Sequence, residues 1–214
     1  MVMIPINKLT LHDMLDNLSL YIGLSDGLIK LPVPEYFEIK KKKHPIPKDL
    51  KELTDNLCYG QRLYMTRHED NDFGSILRVV CGYYYSLSMN CKFDEDNALL
   101  FGKYVLNCKV KYLYPIAMHL MSLVGELAER EHKLLYREPS KMEKAAGIEK
   151  LNVYSELTAL DFLSDVLKCD IPAVLLTPYN ECLVRFMLAK EQNLYQERYI
   201  ELQRAEQESK HKFR

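Results

Sequence analysis

Apolar residues recur at three- and four-residue spacing through most of the chain, which predicts a mostly helical protein. The first helix begins after Thr10, a good N-cap with Asp13 at the capping-box position, and runs to about Ile22. Further apolar stripes predict helices near 50–63, 73–84, 98–106, 116–135 and 155–167. The pattern predicts a break near Gly60 and places Pro115 in the first turn of a long helix.

The sharpest helix start in the sequence is Thr177-Pro178, an N-cap followed by proline at the first helical position. From there a helix is predicted to run to about Ser209, a length of roughly 45 Å. Its second half keeps few apolar residues among charged and amide side chains, and an isolated polar helix is marginal in water. We therefore expect this helix to protrude and to dock on another subunit, with Tyr195 and Tyr199 as the preferred interface pair.

One segment interrupts the helical pattern. Four prolines between residues 28 and 47 exclude a helix, and the segment contains the consecutive lysines Lys40, Lys41, Lys42 and Lys43. It is predicted to be an extended arm or an exposed hairpin edge, with Tyr36, Phe37 and Ile39 as its apolar contacts.

The chain is therefore expected to consist of an N-terminal helix (1–27), an extended Pro/Lys-rich arm (28–47), a helical body (48–176) and a long C-terminal helix with a charged tail (177–214). The predicted fold class is all-α. We expect an irregular helical bundle of about seven helices, with the arm and the last helix outside it.

The composition is that of a soluble globular protein. The 214 residues are 48% hydrophobic and 28% charged, with a net charge of −1, which excludes a disordered chain and leaves no overall field for DNA or an anionic membrane. No secretory signal and no apolar stretch of membrane-spanning length is visible, so no membrane association is expected. The six cysteines lack a C-x-x-C pair and are expected to be reduced in a cytoplasm.

Charge counted by segment is less even than the net charge. Residues 38–51 contain six lysines and two acidic residues, whereas residues 69–96 contain six acidic residues and two basic ones. These are either two solvated surface features, or a basic arm that meets the acidic loop of a neighbouring copy and directs head-to-tail association. The acidic candidates are Asp70, Asp72, Asp94, Glu95 and Asp96. No aromatic or arginine interleaves with the four lysines, so contact with nucleic acid is expected to be incidental at most.

Tyrosine is unusually common, with 15 residues and no tryptophan. Tyrosine combines a large contact area with a hydroxyl group and is enriched at interfaces, although half-buried tyrosines of a monomer would give the same count. The consecutive residues Tyr83, Tyr84 and Tyr85 are not expected to face the core together.

Candidate chemistry is sparse. Glu129 and His132 have the i, i+3 spacing of di-iron bundles, but no second such pair exists, so a solvated charged helix end is the preferred interpretation. His119 lies on an apolar stripe and is expected to be a satisfied histidine rather than a general base. No phosphate-binding loop, nucleophile elbow or catalytic cysteine motif is present. We therefore expect no enzymatic activity, no cofactor and no metal.

The chain resembles structural proteins of tailed bacteriophages, especially neck and tail ring components of crAss-like phages. The resemblance rests on the proline-flanked entry Pro45-Ile46-Pro47-Lys48-Asp49-Leu50 leading to Leu53-Thr54, on Tyr59-Gly60-Gln61, and on a small helical body that ends in a long charged helix after Thr177-Pro178-Tyr179. It implies a virion protein, made in the bacterial cytoplasm, that assembles with copies of itself into a ring and contacts other neck and tail proteins. It carries over no site residues.

Three functions stay open from the sequence. The first is a structural ring or connector subunit, marked by an arm (28–47) that is ordered only against neighbours. The second is a tail-assembly chaperone or cytosolic adaptor, which is a monomer or dimer outside the particle. The third is an enzyme with a dispersed active site, which no residue pattern supports.

Overall fold

The computed structural model describes residues 8–16, 27–28, 30–67 and 72–212, and within them the protein is mostly helical with one small sheet. The α-helices are α1 (Leu11–Asp16), α2 (Leu50–Asp55), α3 (Tyr59–Thr66), α4 (Asp72–Met89), α5 (Glu95–Leu106), α6 (Val110–Leu135), α7 (Lys141–Ala145), α8 (Ser155–Leu167), α9 (Ile171–Leu176) and α10 (Tyr179–Lys212). A 3-10 helix (Ile148–Tyr154) precedes α8, and strands β1 (Tyr36–Ile39) and β2 (Lys42–Pro45) form an antiparallel hairpin. The helices outnumber the seven expected because several are only one or two turns long.

Helix α4 is the centre of the core. Helices α3, α5 and α6 and strand β2 all contact it, so it is enclosed on several sides rather than on one. Tyr83, Tyr84 and Tyr85 are each at most 7% exposed. The prediction that these three tyrosines do not share the core is therefore wrong, because it assumed a helix with a single buried face.

Aromatic packing connects α4 to its neighbours. The ring centroids of Tyr84 and Phe37 lie 4.8 Å apart, and those of Tyr84 and Tyr83 lie 4.9 Å apart in an edge-to-face arrangement. Tyr85 packs edge-on against Phe101 of α5 at 5.9 Å. Such pairs add to the stabilisation given by burial alone.

The proline- and lysine-rich segment forms a hairpin that packs on the body of its own chain. Phe37 and Ile39 point inward and are buried. His44, on the same face, lies 3.1 Å by its Nε2 from Ser88 Oγ of α4. Lys40 and Lys41 form the turn with φ of 53° and 62°, as two-residue hairpin turns require. An arm ordered only by neighbouring subunits is not observed, because the apolar face of the hairpin belongs to the core.

Helix starts agree with the sequence in part. The backbone N–H of Asp13 donates to Thr10 Oγ1 (3.2 Å) and that of Thr10 donates to Asp13 Oδ2 (2.9 Å), so the predicted cap is confirmed. The predicted continuation of this helix towards Ile22 lies outside the described residues. The prediction for Pro115 is wrong: α6 begins about one turn earlier, at Val110, whose N–H donates to Leu9 O at 2.8 Å.

The predicted break near Gly60 occurs slightly earlier, at residues 56–58. The chain turns between α2 and α3, and Gly60 lies inside α3. A Cβ atom at this glycine would lie 2.9 Å from the carbonyl oxygen of Leu175 in α9. The glycine is therefore explained by the close approach of α9 to α3 rather than by a turn.

Helix α10 begins inside the body and leaves it. Two backbone hydrogen bonds of 2.9 Å hold its start: Tyr179 N–H donates to Leu57 O, and Tyr59 N–H donates to Thr177 O. Tyr179, Cys182 and Leu183 are buried, whereas the side chains from 195 to 209 are all exposed. The predicted start and length of this helix are confirmed to within a few residues. The prediction that Thr177 is its N-cap is wrong, because Thr177 ends α9 and its hydroxyl donates to Ala173 O at 3.1 Å.

No helix in the described part of the chain is both long enough and apolar enough to cross a membrane.

Candidate functional site

The most distinctive surface of the protein is a stripe of exposed apolar side chains along α10. It consists of Val184, Leu188, Tyr195, Tyr199 and Leu202, which are between 47 and 71% exposed. At 100° per residue these positions fall within an arc of about 60°. The stripe therefore forms one continuous face, which we call the α10 stripe.

The two predicted interface tyrosines lie at the centre of the α10 stripe. The rings of Tyr195 and Tyr199 are stacked, with centroids 6.3 Å apart and planes inclined by 17°. The hydroxyl of Tyr199 accepts a hydrogen bond from Gln203 Nε2 at 3.0 Å. The pair thus offers an aromatic surface to solvent, as tyrosine does at many interfaces.

Helix α10 is fixed to the body just before and beside this surface. The ammonium group of Lys190 donates to the carbonyl oxygens of Leu134 (2.8 Å) and Tyr136 (3.1 Å) at the end of α6. Arg137 then pairs with both Glu143 and Glu197. Since the side chains from 198 to 209 are all exposed, this part of the helix extends roughly 18 Å past the last of these ties.

Opposite charges stand on one edge of the α10 stripe. Glu191 and Arg198 are both exposed and lie seven residues apart, on either side of Tyr195. In an antiparallel pair of identical helices, the same edge of the two stripes meets, so Glu191 of one copy faces Arg198 of the other. In a parallel pair in register, the charged edges lie on opposite sides of the interface, so Glu191 and Arg198 of different copies do not meet.

The four lysines predicted as interface residues belong to the hairpin, and their side chains make different contacts. The ammonium group of Lys42 donates to Ser88 O (3.3 Å) at the end of α4, and that of Lys40 lies 4.7 Å from the ring centroid of Tyr104. Lys41 and Lys43 are exposed, and Lys43 is directly opposite Glu38 in the hairpin register. Two of the four lysines are therefore used in part to hold the hairpin to the body.

The predicted acidic loop is divided among several elements. Asp70 lies outside the described residues, and Asp72 is the first residue of α4. Asp94 caps α5 by accepting from Asn97 N–H at 2.8 Å, Glu95 pairs with Arg67, and Asp96 is exposed in the first turn of the same helix. Much of this acidic charge serves helix termini and an ion pair within the chain.

The acidic candidates of α5 lie apart from the hairpin lysines. Asp94, Glu95 and Asp96 stand at the start of α5, whereas Tyr104, which contacts Lys40, lies near its end. The two positions are about 15 Å apart along the helix. Association between the two regions of different copies stays a prediction.

A polar cleft of about 440 Å³ lies between α3, α6, α8 and α10. Arg62 and Glu131 form a bidentate pair across it, with one contact, between Nε and Oε1, of 2.9 Å. Arg67 pairs with Glu156 on its rim at 2.7 Å. Burial, together with the nearby Glu131 carboxylate, raises the pKa of Tyr179. The four charged side chains of the cleft are thus all paired, and the pairs connect helices that are far apart in sequence.

The remaining chemical candidates have structural partners. His119 lies 2.7 Å by its Nε2 from Pro47 O, as expected for a satisfied histidine. Glu129 is exposed and pairs with Lys133, and the ring of His132 stacks on Tyr136. No group of three or more His, Cys, Asp or Glu residues that would hold a metal occurs in the part of the chain that the structure describes. The six cysteines are all free thiols.

Comparisons with protein-family models, with curated proteins and with solved structures found no match for this chain. Any functional assignment for this chain therefore rests on its own geometry and chemistry.

The sequence alone does not indicate two features of these surfaces. One is the Arg62–Glu131 pair, whose members are 69 residues apart and lie in ordinary charged helices. The other is the set of tyrosines beside the hairpin lysines, which come from α5 and α6. No local pattern indicates either one, because each depends on how distant elements pack.

Proposed function

We propose that this chain is a non-enzymatic structural subunit of a phage particle, built into a ring or connector of the neck or tail through the exposed half of α10. The observation that carries the proposal is the α10 stripe on a helix that leaves its own body. The resemblance to neck and tail ring proteins is the reason for proposing a phage particle as the place where the chain assembles. Copies of the chain and other neck or tail proteins are the partners, and the virion is the location.

The energetics of the exposed half favour a partner. A helix this polar is marginal alone in water, yet it presents Tyr195, Tyr199 and Leu202 on one face. Covering an apolar side chain of this size contributes on the order of 1.5–3 kcal/mol. A partner along the α10 stripe would therefore stabilise both the helix and the assembly.

A second copy of the same helix, in antiparallel orientation, is the occupant that the charges favour. That arrangement brings Glu191 against Arg198 twice, once on each side of a two-fold axis near Tyr195. The parallel arrangement places the charged edges of the two helices on opposite sides of the interface, so neither charge gains a partner there. The stripe and its edge charges thus favour the same pairing.

This pairing also supports a second candidate function. An antiparallel contact between identical helices is isologous and closes as a dimer, whereas a ring needs a contact between two different surfaces. A dimeric tail-assembly chaperone or cytosolic adaptor is therefore the alternative that the Glu191 and Arg198 geometry favours. In the ring, the α10 stripe would dock on a different face of the next copy.

Native mass spectrometry and sedimentation of the full chain test both candidates. A closed ring supports the structural subunit and a dimer supports the adaptor, whereas a monomer at micromolar concentration contradicts the association of copies through the α10 stripe. Truncation after Leu188, or Leu202→Glu, is expected to reduce the oligomeric state. Leu99→Glu is the matched control, since Leu99 is 69% exposed on α5, and is expected to leave it unchanged.

A charge exchange separates the two modes of association. Glu191→Arg is expected to weaken an antiparallel dimer, and the double variant Glu191→Arg/Arg198→Glu is expected to restore it. If the double variant stays as weak as the single one, the antiparallel pairing is wrong. Detection of the chain in purified particles supports the structural role, and its absence from particles overturns that role.

A further inference from the structure

The hairpin and the junction of α5 and α6 enclose a groove of about 860 Å³. Strand β1 and the hairpin turn form one side. The end of α5 and the start of α6 form the other, and Tyr104, Lys109 and Tyr112 line it. This groove is separate from the α10 stripe and from the polar cleft.

The groove is strongly basic although the whole chain is nearly neutral. Its lining and rim carry six lysines: Lys40, Lys41, Lys43, Lys103, Lys109 and Lys111. The acidic side chains that line it are Glu35 and Glu38. Glu38 stands opposite Lys43 in the hairpin register, so a cross-strand pair balances part of its charge.

Tyrosine rings alternate with these lysines in space. Tyr36 and Tyr112 are each more than half exposed. The ammonium groups of Lys40 and Lys103 lie 4.7 and 5.1 Å from the ring centroid of Tyr104, and that of Lys111 lies 4.6 Å from the centroid of Tyr112. The interleaving that the sequence lacks along the lysine run is thus present in the folded chain.

We infer that this groove binds single-stranded nucleic acid, with phosphates at the lysines and bases stacked on the exposed rings of Tyr36 and Tyr112. A basic groove with aromatic platforms is the general solution for strands whose bases are unpaired. In a duplex the faces of the bases are already stacked, and an acidic protein segment would use the lysines but not the rings. The exposed tyrosines therefore favour a single strand over either alternative.

Binding of the full-length chain to a fluorescein-labelled oligothymidylate of about 16 nucleotides, followed by anisotropy, tests the inference. Tyr36→Ala and Tyr112→Ala are each expected to weaken binding about fivefold or more, which is the lower end for loss of one stacked base. Tyr36→Phe and Tyr112→Phe keep the ring and are expected to bind like the unaltered chain. Tyr154→Ala, at an exposed tyrosine outside the groove, is the control.

The salt dependence tests the lysines separately. For single strands, each phosphate contact contributes about 0.7 to the slope of log K against log salt. Lys43→Gln/Lys109→Gln is therefore expected to lower that slope by about 1.4. The control Lys141→Gln/Lys150→Gln changes two exposed lysines that do not line the groove. It is expected to leave the slope unchanged.

Three outcomes would overturn the inference. Equal affinity for a duplex of the same length, together with unaltered binding by the tyrosine-to-alanine variants, would indicate general polyelectrolyte attraction. Binding of fluorescein-labelled polyglutamate without any binding of oligothymidylate would indicate an acidic protein ligand. Loss of binding in the phenylalanine variants, with unaltered thermal unfolding, would exclude stacking as the cause.

Discussion

Helix α4 and the second half of α10 both contain neighbouring tyrosines, but they differ in burial and in the number of elements that surround them. In α4, Tyr83, Tyr84 and Tyr85 are buried among four neighbouring elements, whereas in α10 the rings of Tyr195 and Tyr199 stack on each other in solvent. The same residue type thus supplies part of the buried core and part of an exposed surface. The surplus of tyrosine therefore does not by itself indicate an interface, and the location of each residue decides its role.

The largest expected effect is on the buried side of this comparison. Tyr84→Ala removes a fully buried ring that packs against Phe37 and Tyr83, and we expect it to lower the free energy of unfolding by about 3–5 kcal/mol. Tyr195→Ala, its matched control on α10, is expected to change that free energy by less than about 0.5 kcal/mol at protein concentrations where the chain is a monomer. Urea titration monitored by circular dichroism measures both. Comparable losses for the two variants would show that the exposed pair supports the monomer.

An intermediate effect is expected where α9 approaches α3. Gly60→Ala places a Cβ atom 2.9 Å from Leu175 O, and we expect a loss of about 1–3 kcal/mol because the backbones must separate. Gly125 lies on α6 with nothing within 4 Å of an added Cβ, so Gly125→Ala is expected to gain up to about 1 kcal/mol from helix propensity. Equal changes at the two positions, measured by urea titration, would contradict the close approach.

The smallest effect concerns the contact between the hairpin and α4. Burial, together with nearby Lys42, lowers the pKa of His44 from its usual value of 6.5. The unfolded chain therefore takes up a proton at a higher pH than the folded chain, and stability is lost as the pH falls below about 6.5. Between about pH 7 and pH 5 the unaltered chain should lose stability more steeply than His44→Gln, as measured by urea titration at each pH. The other histidines are common to both chains, and identical slopes would contradict the prediction.

Local features of the fold were predictable from the sequence. The Thr10–Asp13 cap, the helix from Ser155 to Leu167 and the start of the last helix after Thr177-Pro178 depend on neighbouring residues, and the structure shows each of them. The exposed position of Tyr195 and Tyr199 followed in the same way from the polar surroundings. What binds them is a property of a second surface and stays a prediction.

Relations between distant elements were not predictable in this way. The start of α6 depends on a hydrogen bond from Val110 to Leu9, and the glycine in α3 depends on α9. Lys40 of the hairpin contacts Tyr104 only because α5 ends beside the turn. Spacing along the chain records which face of an element is apolar, but it does not record which element covers that face.

The continuity of α10 has a mechanical consequence. The helix is clamped at one end, where Tyr179 is buried and bonded to Leu57, and it runs without interruption to Lys212. Ties at Lys190 and Glu197 hold its middle, so only the part beyond Glu197 is free. A force applied at Leu202 therefore passes as a bending moment first to these ties and then to the start of the helix, where the polar cleft and its Arg62–Glu131 pair adjoin it.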